Sequence, residues 1–126
     1  FTPVGIWSES TTLRFYSPED ETHVSHSVTN AQGTDSYFEA ECWTILDAMN
    51  KFGHSRIDLL KLDIEGAEYS VLYALFQTDI RPRVIAAEFH LTSSLTPFVS
   101  IYEQFIAAGY RPIAVEDWNV TFVHSG

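Results

Sequence analysis

The sequence predicts an α/β fold in which strand-then-helix units build a sheet that ends in an antiparallel hairpin. Two observations predict it. The short apolar runs at residues 57–64 and 83–90 are each followed by an amphipathic stretch, which is the order of elements in a parallel α/β sheet. The last two β-prone runs, residues 110–115 and 120–124, are separated by only a few residues, so they must pair antiparallel.

Three β-prone runs surround a long polar segment in the first third of the chain. Residues 1–7 and 12–16 are separated by a polar turn, as in a hairpin or at a sheet edge. Residues 17–36 are rich in Ser and Thr and almost free of large apolar side chains, so we expect a long polar loop there. Residues 37–43 alternate apolar and polar side chains with the period of a strand.

The predicted helices have recognisable starts and ends. Thr44 and Asp47 are spaced as in a capping box, and Gly53 fits a C-terminal stop, so the first helix should fill the interval between them. Residues 67–77 and 97–108 carry apolar side chains at helical spacing. The strands that precede these two helices are nearly continuous apolar runs, which is typical of strands buried on both faces.

Composition limits the size and the partners of the protein. The 126 residues, 45% of them hydrophobic, supply one compact core, and we expect one domain spanning residues 1–126. With 7 basic and 17 acidic side chains the formal charge is −10, which disfavours nucleic acid as a partner. No apolar run approaches the roughly 20 residues of a membrane span. These features predict a soluble protein.

Cysteine usage bears on the compartment. Cys42 is the single cysteine and cannot form an internal disulfide, so we expect a reducing, cytoplasmic compartment. The glycosylation sequon at residues 119–121 is a common chance tripeptide and leaves secretion open. No feature predicts an oligomeric state.

Charged side chains close both predicted parallel strands, where ligands bind in open α/β sheets. Asp63 and Glu65 follow the first strand, and Glu88 and His90 end the second. A carboxylate inside an apolar run, such as Glu88, costs several kcal/mol without a partner, which favours a functional or networked role. His90 could be a general base or a core imidazole, and Glu68 could simply complement the dipole of its helix.

The run IDLLKLDIEGAEYSVL, residues 57–72, resembles the hallmark of FkbM-type methyltransferases, an apolar strand that ends in Lys-hydrophobic-Asp-hydrophobic-Glu-Gly-Ala-Glu. Glu88 and His90 match the Glu-x-His that ends the next strand in this family. The resemblance covers nearly the whole chain. It implies a class I, Rossmann-like sheet, mostly parallel with a C-terminal antiparallel hairpin, and the use of S-adenosylmethionine.

The resemblance implies a methyltransferase that acts on a hydroxyl of a small molecule, sugar or glycan. By the same resemblance Asp63 and Ile64 contact the methyl donor, and Asp63, Glu65 and His90 are catalytic, with Asp63 or His90 as general base. A more distant resemblance to catechol-type O-methyltransferases implies that Asp63 and Glu88 bind Mg²⁺ or another divalent ion.

The Gly-rich turn on which such enzymes bind their donor is absent from the sequence. We therefore interpret the chain as the C-terminal part of a methyltransferase domain that lacks its N-terminal strands, which leaves the activity of this chain alone open. Two other functions stay open at this point. One is a metal-dependent hydrolase that uses Asp63, Glu65 and Glu88, and the other is a non-catalytic, methyltransferase-like interaction domain.

Overall fold

The computed structural model describes residues 1–16, 35–64, 66–90 and 94–126. These residues form a mixed α/β fold with three helices and two sheets. The elements in chain order are β1 (Gly5–Ile6), β2 (Thr11–Tyr16), β3 (Tyr37–Trp43), α1 (Ile45–Phe52), β4 (Leu59–Leu62), α2 (Glu68–Phe76), β5 (Val84–Glu88), α3 (Thr96–Ala107), β6 (Tyr110–Glu116) and β7 (Asn119–His124). The predicted polar loop lies almost wholly outside the described residues, because 17–34 are among those not described.

The smaller sheet has the strand order β1-β3-β2. Strand β2 pairs antiparallel with β3, and β1 pairs parallel with it. Of the two arrangements left open for residues 1–16, a hairpin or a sheet edge, the structure has the second, because β1 and β2 lie on opposite sides of β3. A Cβ on Gly5 would lie 2.7 Å from Cys42 Sγ, so the close approach of β1 to β3 requires glycine at this position.

The larger sheet has the strand order β4-β5-β7-β6. The predicted C-terminal hairpin is confirmed, since β6 and β7 pair antiparallel around a two-residue turn. A mostly parallel sheet is not confirmed for the described residues. Within the larger sheet only the β4–β5 pairing is parallel, because the hairpin places β7 beside β5 in the opposite direction.

Strand β4 is not buried on both faces, and the sequence-based expectation for it is wrong. Leu59 is 62% exposed, whereas Leu62 is buried, and the intervening residues alternate in the same sense. The reason is its position: β4 is an edge strand of the described sheet, and the core packs on one of its faces. A continuous apolar run therefore does not by itself show that both faces are covered.

The helices pack with the larger sheet into one core. Phe105 of α3 stacks on Phe122 of β7 with 3.8 Å between ring centroids, and Phe76 of α2 meets Phe105 edge-on. Buried side chains from α1, α2, α3 and the larger sheet form a single apolar cluster. Among the described residues, no helix is long and apolar enough to cross a membrane.

One edge of the larger sheet brings distant parts of the chain together. The parallel strands β4 and β5 both end there. Strand β7 begins there, because Asn119 is the register partner of Glu88. We call this region the carboxyl edge and define it as residues 63–64, 66–69, 88–90 and 116–119.

Candidate active site

The carboxyl edge is organised around Glu68, the first residue of α2. Its side chain is fully buried, and its Oε1 accepts a hydrogen bond of 2.9 Å from the backbone amide of Ile64. Gly66, at φ 96°, makes the sharp turn that folds the chain from β4 into the helix. A carboxylate in the first helical turn is favoured by the helix dipole. The local sequence thus folds an acidic side chain back onto the end of β4.

Glu68 also reaches the end of the neighbouring strand. Its Oε1 lies 3.4 Å from Nδ1 of His90, two residues beyond the end of β5. Nδ1 is buried, while the His90 side chain as a whole is 37% exposed. This contact is an ion pair whenever the imidazole is protonated.

The second carboxylate oxygen of Glu68, Oε2, takes no part in the contacts with Ile64 and His90. Oε2 is buried, and within the described residues it has no hydrogen-bond partner. Buried polar atoms without a partner are uncommon, so this oxygen is a candidate contact for a water molecule, an ion or a ligand.

Asp63 lies at the end of β4 and is accessible. Its side chain is 43% exposed, and its Oδ2 is 3.1 Å from Nζ of Lys61. Both partners of this ion pair are solvated, so the pair contributes little to stability and leaves the carboxylate available to a ligand. Glu88 is half-buried at the end of β5 opposite Asn119, and Glu65 lies outside the described residues.

Ile64 has its polar backbone groups engaged by α2. Its amide donates to Glu68 Oε1, and its carbonyl accepts from the amide of Ala67 at 3.3 Å. Its half-buried side chain packs against the core. These contacts leave the side chain as the part of Ile64 that could touch a methyl donor.

The carboxylates do not assemble into a metal centre in the described part of the chain. There, no three His, Cys, Asp or Glu side chains are grouped so that they could hold an ion. The predicted pair of Asp63 and Glu88 thus lacks a described third ligand, and the ammonium of Lys61 beside Asp63 opposes a second cation. Glu65, the remaining carboxylate of the predicted hydrolase set, lies outside the described residues, so the metal-dependent alternatives stay predictions.

A series of aromatic contacts runs from α2 to the turn between β6 and β7. Tyr69 contacts Phe89 at 5.6 Å between centroids, Phe89 meets Phe98 edge-on at 5.2 Å, and Phe98 meets Trp118 at 6.0 Å. Burial, and then the nearby negative charge of Glu68, raise the pKa of the Tyr69 hydroxyl. The carboxyl edge is therefore acidic at its rim and aromatic along one side.

Of the predicted site residues, the structure gives His90 a charged, buried partner, and that partner is a residue the sequence-based set of site residues leaves out. Glu68 has the spacing i, i+3, i+4 and i+7 with Val71, Leu72 and Leu75, all of them buried. This spacing puts Glu68 on the apolar face of α2. The sequence therefore contained a signal for Glu68, namely a carboxylate on the core-facing side of a helix. The sequence analysis explained Glu68 by the helix dipole instead.

Comparison with known proteins adds one match. A family model described as "Methyltransferase FkbM domain" matches residues 2–112. The match includes β4, α2, β5 and α3, and thus most of the carboxyl edge. No curated protein and no solved structure matches the chain.

Proposed function

The chain belongs to the family of FkbM methyltransferase domains, and on that premise we propose that it acts in the S-adenosylmethionine-dependent methylation of a hydroxyl group on a small molecule, sugar or glycan. The observation that supports this most directly is the buried Glu68 carboxylate 3.4 Å from His90. Methylation of a hydroxyl requires removal of a proton, and a carboxylate-oriented imidazole is suited to that step. The parallel β4–β5 pair followed by an antiparallel hairpin also supports a Rossmann-like class I sheet.

The carboxylates of the carboxyl edge suit the charge of S-adenosylmethionine. The sulfonium and amino groups of this methyl donor are cationic, and Asp63 offers an accessible carboxylate. Glu68 and Glu88 add negative charge to the same region, on a chain with a formal charge of −10. In this proposal Asp63 and the side chain of Ile64 would hold the donor, which when bound supplies an electrophilic methyl group.

His90 is the general base in this proposal. Nε2 takes the proton of the acceptor hydroxyl, so that the acceptor oxygen gains a methyl group as it loses a hydrogen. The imidazolium that results would lie beside the fully buried carboxylate of Glu68. Such an interaction is stronger in a water-poor environment than at the surface. Glu68 acts through His90 and is a positioning residue.

Substitution of His90 tests this assignment. In the native protein that contains residues 1–126, we expect His90→Gln to lower the rate of donor turnover by roughly 10²–10⁴-fold, the usual contribution of a general base. The reaction is followed by release of S-adenosylhomocysteine, with neutral methyl glycosides as acceptors. The thermal midpoint of each variant is measured in parallel, because His90→Gln also removes the imidazole beside the buried Glu68 carboxylate and should lower the midpoint.

The matched control is His54→Gln, since His54 is exposed in the turn after α1 and precedes β4, whereas the carboxyl edge lies where β4 ends. This variant should turn over like the wild type. Wild-type turnover by His90→Gln would contradict the role of His90 as the base.

A further inference from the structure

A cleft opens at the amino ends of β4 and β5, opposite to the carboxyl edge. Its walls include α1, α2 and the two segments that lead into these strands, residues 55–57 and 78–81. The cleft has two parts, a wide mouth of about 540 Å³ and a narrower slot of about 160 Å³. Leu46, Thr78 and Ile80 line both parts, so the mouth opens into the slot. We call the two parts together the amino cleft.

The slot is apolar and lies between α1 and α2. Ile45 of α1 and Val71 and Leu75 of α2 line it and are buried, and Ala74 lines it beside them. An apolar cavity of this size holds a group about as large as benzene. Leu46, where the slot meets the mouth, is 43% exposed, so a ligand that enters the slot would cover apolar surface that is now accessible to water.

The mouth carries positive charge in an acidic protein. Arg56 and Arg81 line it, and Asp79 is the one carboxylate among the described residues that line it. Arg56 pairs with Asp58 at 3.5 Å, but both side chains are largely exposed, so the pair is weak and leaves Arg56 able to contact a ligand. Arg83, which is exposed, adds positive charge at the same end of β5. Since the chain has a formal charge of −10, an anion should prefer this mouth to the rest of the surface.

Arg81 is held in place and keeps donors for a ligand. Its Nη1 donates to the carbonyl of Thr78 at 2.6 Å and to the carbonyl of Ile80 at 2.8 Å. Within the described residues, Nε and Nη2 make no hydrogen bond. A guanidinium that is already oriented loses little conformational entropy when it binds an anion, and its planar fork matches the two oxygens of a carboxylate.

An amphipathic carboxylate matches both parts of the amino cleft. Its charged head requires cationic donors, which Arg56 and Arg81 supply at the mouth. Its apolar tail requires a slot from which water is displaced, and that slot adjoins the mouth. A cation with the same tail would be repelled by the two arginines, and a small polar anion would leave the slot unfilled.

We propose that the amino cleft binds a small aliphatic carboxylate, with its head between Arg56 and Arg81 and its tail in the slot between α1 and α2. The site is separate from the carboxyl edge, because β4 and β5 run from one to the other. Strands of this length span roughly 13–17 Å. A ligand in the amino cleft is therefore not the methyl acceptor, and this proposal can be tested independently of the proposed function.

The test is a calorimetric titration of sodium octanoate into the native protein that contains residues 1–126. We expect saturable binding with a Kd on the order of 0.1 mM, which suits a ligand of this size. Arg56→Gln should weaken binding about tenfold and retain the fold, because the Arg56 side chain is exposed. Ala74→Leu should also weaken binding about tenfold or more, because the larger side chain fills the slot. Its thermal midpoint should not fall, since filling an apolar cavity commonly stabilises a protein.

The matched control is Arg111→Gln, because Arg111 is exposed at the start of β6, at the same end of the sheet, and does not line the amino cleft. This variant should bind octanoate like the wild type. Acetate, which lacks the tail, and octylammonium, which has the opposite charge, should bind about tenfold more weakly or not at all. The proposal is refuted if octanoate does not bind, if octylammonium binds equally well, or if either Arg56→Gln or Ala74→Leu binds octanoate like the wild type.

Discussion

Glu68 combines full burial with incomplete hydrogen bonding. One oxygen receives the Ile64 amide and faces His90, while the other has no hydrogen-bond partner in the part of the chain that the structure describes. Taking a carboxylate out of water costs several kcal/mol, and an apolar residue at the same place on α2 would avoid that cost. The presence of Glu at this position is therefore better explained by the orientation of His90 than by stability.

Replacement of Glu68 separates these two roles. Glu68→Gln keeps an oxygen for the Ile64 amide but removes the charge beside His90, so we expect kcat to fall by about 10–100-fold, with the KM for the donor unchanged. Glu68→Leu also removes the acceptor of the Ile64 amide. The unpaired amide should lower the free energy of unfolding by about 1–3 kcal/mol, and the new apolar contact should offset part of that loss. A Glu68→Gln variant with wild-type kcat would leave Glu68 with a structural role only.

Tyr110 gives the stability a dependence on alkaline pH. The side chain is buried, and its hydroxyl donates a 2.6 Å hydrogen bond to the carbonyl of Pro82. Burial raises the pKa of Tyr110 from 10.0 to about 12, an effect that the positive charge of Arg81 partly opposes. The unfolded chain thus releases this proton near pH 10, while the folded chain holds it to about pH 12.

The contribution of Tyr110 to the free energy of unfolding should therefore be complete below pH 10 and decline as the pH rises towards 12. The loss over this interval is roughly 3 kcal/mol at most. Urea unfolding at a series of alkaline pH values measures it, and Tyr110→Phe should show a shallower decline. Equal slopes for the two proteins would contradict this origin of the pH dependence.

Helix α1 shows how a short element is set by its ends. Thr44 Oγ1 accepts a 3.0 Å hydrogen bond from the amide of Asp47, and Gly53 ends the helix at φ 67°. We expect Thr44→Ala to lower the free energy of unfolding by about 1 kcal/mol, because it removes the cap, whereas Thr44→Ser should be nearly neutral. Chemical denaturation compares the two. Equal stability of Ala and Ser would show that the cap is not what holds this end.

Local sequence patterns predicted most helices and strands, but they did not predict which distant strands pair with each other. The cap and stop of α1 and the short connection between β6 and β7 are encoded within a few residues, so both could be predicted. The placement of β1 beside β3 depends on a pairing across more than thirty residues, which no local pattern specifies. The exposure of Leu59 likewise depends on which strand, if any, lies next to β4.

The candidate site likewise has a part that local sequence predicts and a part that depends on the tertiary arrangement. Charged residues at two successive strand ends predicted the carboxyl edge and the place of Asp63 and His90. The contact between Glu68 and His90 could not be predicted, because it depends on how α2 folds back over the end of β4 and on the distance between β4 and β5.

The molecule as a whole depends on the aromatic core between the helices and the larger sheet. Phe122 is fully buried and stacks on Phe105. Phe122→Ala should lower the free energy of unfolding by about 3–5 kcal/mol, since it opens a cavity in the shared core. Ile113→Ala on β6, where the side chain is 52% exposed, is the control and should cost far less. Similar losses for both variants would show that the core does not couple the sheet to the helices.

The carboxyl edge also defines where a methyl donor should bind. Asp63 is its accessible carboxylate, whereas Asp58, near the opposite end of β4, is an exposed carboxylate paired with Arg56 and serves as a matched control. If the carboxyl edge is the site of methyl transfer, the affinity for the methyl donor should depend on Asp63 and not on Asp58.

The most direct measurement is a calorimetric titration of S-adenosylhomocysteine into the native protein that contains residues 1–126. We expect a Kd on the order of micromolar, weakened about tenfold or more by Asp63→Ala and unchanged by Asp58→Ala. The absence of binding, or binding that Asp63→Ala leaves intact, would contradict the assignment of the carboxyl edge as a methyl-transfer site.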